Sequence, residues 1–151
     1  MVAYSFQKRF AGPILAGTKG GTIRAERKLP RKVWTAPTSA YRRALVGGHA
    51  LPGEEIQLYT GMRTKHCALI TRKTCREVEP IALNFEAEVI AFDGREDLYD
   101  QQPELDFFAQ FDGFAGWDEM REFWAKWRRT TGLLVFDGWH VRWLPLPAGL
   151  G

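Results

Sequence analysis

The sequence predicts a single α+β domain of short, mostly antiparallel strands with helices packed beside them. Residues 56–60 alternate apolar and polar side chains, as a half-buried strand does, and 75–92 and 133–143 have the pattern of strand hairpins. An apolar stripe with helical spacing begins near Trp117. The length of 151 residues fits one domain, and 45% hydrophobic residues suffice for a core.

The chain begins with an extended lead-in over 1–10, in which Phe6 and Phe10 are expected to anchor the core. A short helix is predicted over 13–16, because proline is tolerated in the first turn of a helix. Gly17 suits the helix stop. A strand is expected to follow from Ile23.

The sharp turn between this helix and strand brings together a hydroxyl and two cations, those of Thr22, Lys19 and Arg24. Gly20 and Gly21 permit backbone conformations that other residues avoid. The combination predicts a site for an anion or a carbonyl group. A purely structural helix stop with solvated charges remains the alternative.

A basic segment follows at about 25–50 and is long for a loop, which is typical of functional or mobile segments. Trp34 and Tyr41 lie among its cations and are candidates for stacking on bases. The alternative is that they attach the loop to the domain.

The middle of the chain reads as a strand at 56–60, a break at Gly61, a basic turn, and a strand at 67–70. In the hairpin pattern of 75–92 we expect a strand around 75–78, a bend at Pro80, and alternation over 81–92. An Asp-Gly turn follows at 93–94.

The last third is predicted to be helical after Pro103 and again from about Trp117. The segment 133–143 reads as a closing hairpin that turns at Asp137 and Gly138.

Charge is unevenly distributed along the chain. Residues 1–76 carry 15 Lys and Arg against 3 Asp and Glu, whereas 77–151 carry 6 against 15. A basic face for phosphates is one interpretation, and mutual neutralisation of the two halves is the other.

Two cysteines, Cys67 and Cys75, do not make a disulfide framework, and with His66 they fall short of the four ligands of a zinc site. We expect buried or strand thiols, no metal and no cofactor. No apolar signal core or membrane-length run is present, so a soluble cytoplasmic protein is expected.

Three blocks in order resemble the ASCH domain, a family of PUA-like β-barrels. Residues 10–24 match its N-terminal signature F-x(3)-I-x-x-G-x-K-x-x-T-I-R, and 112–124 resemble its D/E-G-F-x-x-W segment with the following helix. Between them, 52–59 resemble its P-G-D strand entry, with Glu54 in place of Asp. The resemblance implies a small, mostly antiparallel PUA-like barrel with helices at its rim, of the longer bacterial or phage type.

One branch of this family consists of amidohydrolases that remove acyl groups from N4 of cytidine, with a K-x-x-T motif and an acidic residue as the catalytic set. The resemblance places Lys19 and Thr22 on the motif. Lys19 would activate the Thr22 hydroxyl as nucleophile. Asp112, where that branch has Glu, would orient the lysine or relay protons.

Longer ASCH proteins include metal-independent ribonucleases, and the resemblance implies that the strand-turn-strand around Gly61 supplies their active residues. If Tyr59 and Lys65 form a hairpin pair, Tyr59 would handle the proton, and Lys65 with Arg63 would meet the phosphate. A surface tyrosine in a basic turn is the alternative.

Three further residues are candidates for RNA contacts: Arg24 from the motif turn, Trp117 as a platform for an unpaired base, and Arg142. Trp117 as plain core is the alternative. A ribonuclease acting on single-stranded RNA is the first functional hypothesis, an amidohydrolase acting on a modified nucleoside the second, and a non-catalytic RNA-binding module the third.

Overall fold

The structure is a computed structural model, and it describes residues 2–27 and 45–150. Most of the basic segment, with Trp34 and Tyr41, lies outside the described residues. The described elements in chain order are β1 (Val2–Phe6), a 3-10 helix (Lys8–Phe10), α1 (Ala11–Ala16), β2 (Gly21–Arg24), β3 (Glu55–Thr60), β4 (Ala68–Thr74), β5 (Glu77–Asn84), β6 (Val89–Phe92), β7 (Leu98–Tyr99), α2 (Gln102–Phe111), α3 (Trp117–Thr131) and β8 (Val135–Arg142).

The described strands form two sheets. One has the order β1-β3-β4, in which β1 runs parallel to β3 and β4 antiparallel to it. The other has the order β2-β8-β5-β6-β7, and every neighbouring pair is antiparallel. The α+β class is therefore confirmed. Among residues 2–27 and 45–150, hydrogen bonding leaves these as two sheets and does not close them into one barrel.

The helices follow their local signals. α1 ends where Gly17 adopts φ 78°, in the left-handed region that glycine enters without strain. α2 has Pro103 in its first turn, and α3 begins at Trp117 and stops at Gly132 with φ 71°. All three predicted helices are confirmed. None of the helices in the described parts is long and apolar enough to span a membrane.

The predicted bend at Pro80 is wrong, because β5 runs straight through it with Pro80 opposite Trp139 of β8. The ladder between β5 and β6 begins only at Ile81, so β6 needs no N–H from position 80. The Pro80 carbonyl instead accepts a hydrogen bond from the Asp93 N–H at 3.2 Å.

A second correction concerns 81–92, which is not one alternating strand. A turn at 85–88 separates β5 from β6, and the Asn84 side-chain carbonyl supports it by accepting the Ala87 N–H at 2.9 Å. Glu88 takes a positive φ of 56° in this turn. The turn at 93–94 is confirmed.

The predicted turn at Asp137 and Gly138 is also wrong, since β8 is continuous across both. Gly138 lies opposite Ile81, and a Cβ added there would stand 2.6 Å from the Arg24 carbonyl oxygen. Gly138 therefore permits close packing inside the sheet and does not form the predicted turn, and both uses of glycine are common near strands.

The core fills the space between the sheets and α1–α3. Phe6 and Phe10 are buried in it, as predicted. One of its largest fully buried side chains, Arg142, is charged. The complete set is Trp117, Arg142, Tyr4, Phe85, Phe108, Ile14, Ile56, Leu58, Leu83, Ile90, Leu105 and Met120.

Candidate functional site

The motif turn opens onto a cavity of about 270 Å³. Its polar wall carries Lys19, Thr22, Arg24 and Asp112, four of the residues singled out from the sequence. The remaining lining is mostly aromatic and comprises Ser5, Phe6, Gln7, Phe10, Ile23, Phe114, Phe123 and Trp124. A small concave site with a few convergent polar groups on apolar walls is the usual form of a site for a small organic ligand.

Backbone hydrogen bonds hold the motif turn against α1 and against the end of α2. The Lys19 N–H donates to the Pro13 carbonyl at 3.1 Å and so holds the turn against α1. The Gly20 N–H donates to the Phe111 carbonyl at 2.9 Å, at the end of α2. Asp112 follows directly and therefore faces the turn.

Close packing leaves no room for a side chain at Gly20 or at Gly113 of this junction. A Cβ on Gly20 would lie 2.5 Å from the Phe111 ring, and neither Gly20 nor Gly21 has a positive φ. The expected role of these two glycines in special backbone conformations is therefore wrong, and close approach is the reason for Gly20. Gly113 combines φ 98° with a position where a Cβ would meet Lys19 Cδ at 2.9 Å.

Lys19 and Asp112 form a buried ion pair, with side chains 3% and 6% exposed. Lys19 Nζ donates to Asp112 Oδ1 at 3.4 Å and also to the Asp112 main-chain carbonyl. Burial raises the pKa of Asp112 to about 6, although Lys19 and Arg24 oppose the shift. Burial also lowers the pKa of Lys19, against the pull of Asp112. Burial thus brings the two pKa values closer together, which is what proton exchange between the two groups needs.

Arg24 holds the Thr22 hydroxyl. Its Nε donates to Thr22 Oγ1 at 3.0 Å, and its Nη2 donates to the Ser5 carbonyl of β1 at 2.6 Å. Among the described residues no hydrogen bond joins Lys19 Nζ to Thr22 Oγ1. The group that contacts the predicted nucleophile is therefore Arg24.

The aromatic walls face both cations. Lys19 Nζ lies 4.7 Å from the centre of the Phe10 ring, and the Arg24 guanidinium lies 4.8 Å from that of Phe6. Ring faces stabilise cations at this range. They also favour a flat, apolar ligand over a chain of charged groups.

The predicted pairing of Tyr59 with Lys65 is wrong. Tyr59 lies opposite Leu69, and its hydroxyl donates to Gln57 Oε1 at 3.2 Å. Lys65 is exposed in the turn before β4, which begins only at Ala68. The predicted strand at 67–70 starts one residue too early, and Lys65 lies in the connection 61–67 between β3 and β4, outside the ladder.

The Gly61 turn nevertheless borders the site. A neighbouring depression of about 560 Å³ is lined by Ser5, Phe6 and Gln7, shared with the cavity, together with Lys8, Gly61, Thr64 and His66. Arg63 is exposed in the same turn and takes φ 65°. The turn therefore borders the cavity without supplying its lining, and its exposed cations Arg63 and Lys65 line neither the cavity nor the depression.

Trp117 does not reach a cavity mouth. Its ring is fully buried and stacks on Phe85 with centres 5.9 Å apart, and its Nε1 donates to Glu88 Oε1 at 3.2 Å. A ring without exposed faces cannot stack on a base, so the predicted platform is wrong and the core alternative is confirmed.

Arg142 is likewise engaged within the protein. It is 2% exposed, its Nη2 donates to Glu77 Oε2 at 2.7 Å, and it is also paired with Glu79. It lines a different depression from the Lys19 cavity. A buried arginine held by two carboxylates is not free to bind phosphate, so its predicted RNA contact is wrong.

Sequence reasoning missed part of the site. Phe123 and Trp124 belong to the apolar stripe of α3, a pattern that by itself indicates only core packing, yet both line the cavity. Phe114 and Ser5 were not considered as site residues either. The only sequence signal for Phe114 is its position two residues after Asp112. No such signal exists for Ser5, because β1 reaches the site through sheet pairing.

The cysteines are free, with Cys75 buried and Cys67 exposed, so the expectation of a buried or strand thiol is wrong for Cys67. Within 2–27 and 45–150, no cluster of three or more His, Cys, Asp and Glu side chains is arranged to hold a metal ion.

Comparison of the chain with protein-family models, with curated proteins and with solved structures found no match.

Proposed function

We propose that the chain is an ASCH-type hydrolase in which the Lys19 cavity removes the acyl group from an N4-acylated cytidine. A PUA-like arrangement of the two sheets would frame the cavity. The observation that carries the proposal is the meeting of Lys19, Thr22 and Asp112 in one small aromatic-walled cavity. The flat pyrimidine suits the rings, and the amide suits the polar wall.

In the proposed reaction Thr22 Oγ1 attacks the amide carbon. The Thr22 proton moves to Lys19 Nζ as Lys19 passes one of its own protons to Asp112 Oδ1. The tetrahedral intermediate then releases the N4 amine, which takes a proton back from the pair. The opposed pKa directions of Lys19 and Asp112 support such a relay. Water hydrolyses the resulting threonine ester and restores the hydroxyl.

The test is hydrolysis of N4-acetylcytidine, followed by chromatographic measurement of cytidine. Thr22→Ala and Lys19→Met are expected to reduce turnover to the background rate. Thr18→Ala is the matched control, because Thr18 is exposed four residues away and its hydroxyl donates to the Pro13 carbonyl at 3.2 Å. Full activity of Thr22→Ala would refute the proposed nucleophile.

A metal-independent ribonuclease is the second candidate, favoured by the cationic Gly61 turn beside the cavity. Its test is cleavage of end-labelled single-stranded RNA in excess EDTA. Lys65→Ala should stop cleavage if the turn is active, and Lys126→Ala, on the exposed side of α3, is the control. Salt-sensitive RNA binding without cleavage would instead favour a non-catalytic module.

A further inference from the structure

Thr22 needs a partner that stabilises its oxygen once the proton leaves, because a free hydroxyl is a weak nucleophile. The described contacts assign that position to Arg24, whose Nε lies 3.0 Å from Thr22 Oγ1. A guanidinium N–H only donates, so Thr22 Oγ1 accepts this bond. The Thr22 proton therefore points away from Arg24, toward other groups.

The Arg24 guanidinium makes three contacts with β1. Its Nη2 donates to the Ser5 carbonyl of β1 at 2.6 Å, and its Cζ lies 4.8 Å from the centre of the Phe6 ring and 5.6 Å from that of Tyr4. Three anchors on one strand hold it in place before any substrate binds. Such preorganisation is what makes a charged donor effective on a developing oxyanion.

We infer that Arg24 is a positioning residue, which orients the Thr22 hydroxyl and stabilises its negative charge as the oxygen attacks. This inference rests on the proposed function and deepens it. In this inference Arg24 acts on the reaction through Thr22, in place of the RNA contact that was predicted from the sequence. Arg24 and Thr22 are two residues apart on β2, so strand geometry places both side chains on one face.

Arg27 offers a closely matched control. Its Nη2 donates to the Ala3 carbonyl of β1 at 2.8 Å, and its Cζ lies 4.6 Å from the centre of the Tyr4 ring. It therefore makes the same two kinds of anchor as Arg24 but no contact with Thr22. Arg27→Gln tests what losing a guanidinium clamp on β1 does by itself.

The experiment compares Arg24→Gln, Arg24→Lys and Arg27→Gln on N4-acetylcytidine across pH. Arg24→Gln is expected to lower kcat about 100-fold with little change in KM. Arg24→Lys should restore part of the rate, because one ammonium keeps the charge but cannot bridge Thr22 and Ser5. Since Arg24 lowers the pKa of Asp112, Arg24→Gln should also move the acid limb of kcat/KM to higher pH. Arg27→Gln should do neither.

A second readout does not depend on the substrate. A small alkyl fluorophosphonate should label Thr22 in the wild type and in Arg27→Gln, and far more slowly in Arg24→Gln, as peptide mass spectrometry would show. Labelling that depends on Arg24, without acylcytidine hydrolysis, would overturn the proposed substrate and uphold the role of Arg24. If Arg24→Gln matches Arg27→Gln in both assays, the inference is overturned while the proposed function stands. Neither labelling nor hydrolysis in the wild type would overturn both.

Discussion

Lys19 and Asp112 are paired inside the protein, where Nζ meets Oδ1 at 3.4 Å and also the main-chain carbonyl of the same residue. A lysine that binds both the side chain and the backbone of its partner ties the motif turn to the end of α2. The pair thus has a structural role besides its proposed chemical one, and stability measurements can separate the two.

The Asp112 carboxyl predicts a pH dependence of stability. In the folded protein the Asp112 carboxyl retains its proton up to about pH 6, whereas the ordinary pKa of an aspartate is 3.8. The folded state therefore binds more protons in this window, and the free energy of unfolding falls as pH rises from about 4 to about 6. The contribution is on the order of 3 kcal/mol.

Urea unfolding of the wild type and of Asp112→Asn across this window checks the prediction. Subtracting the two profiles removes the titration of all other groups that the substitution leaves unchanged. Parallel profiles would show that Asp112 does not titrate between these limits.

For the His49 ring we predict a pH dependence of stability with the opposite sign. Its Nε2 lies 2.9 Å from the Ala25 carbonyl and its Nδ1 lies 3.1 Å from the Tyr4 hydroxyl, so the neutral ring donates from Nε2 and accepts at Nδ1. Burial lowers its pKa to about 4 from the ordinary 6.5. The unfolded chain binds the additional proton, so stability falls as pH decreases from about 6.5 to about 4.

His49→Gln should flatten this acid-side loss in thermal unfolding measured over the same range. Tyr4→Phe serves as a control that removes the hydroxyl and keeps a neutral histidine. An unchanged slope in His49→Gln would rule out His49 as its source.

Gly20→Ala should destabilise the protein by about 1–3 kcal/mol, because the new methyl group would overpack against the Phe111 ring. Gly12→Ala is the matched control, since an added Cβ there meets nothing within 4 Å and lies in α1. That change should stabilise by about 0.4–1 kcal/mol. Urea midpoints compare the two, and equal effects would contradict the close approach at Gly20.

Arg142→Met should cost about 1.5–3 kcal/mol, because Glu79 loses a buried charged donor but keeps Arg95, and Glu77 is half exposed to water. Arg72→Met, on β4 of the other sheet, is the control, since its pairing with Glu55 at 3.7 Å is solvent-exposed and worth at most about 1 kcal/mol. Denaturant unfolding measures both. Similar small losses would mean that Arg142 is not a structural residue.

Local signals accounted for the helices. Proline near the start and glycine after the end bound α1, and the stripe of α3 needs no distant partner to be recognised. In the strands the same signals gave wrong predictions of a bend and a turn, because Pro80 and Gly138 lie within continuous β5 and β8. Their tolerance depends on which neighbouring strand is present at that position, and sequence periodicity does not contain that information.

The candidate site divides in the same way. The sequence by itself determined the α+β class and the cluster of Lys19, Thr22 and Arg24, because these residues share one turn and the start of one strand. Only the tertiary structure decided that Arg24, not Lys19, contacts Thr22, and that Arg142 and Trp117 are buried. Those outcomes depend on Ser5, Glu79 and Phe85, which reach them through strand pairing and packing between segments distant in the chain.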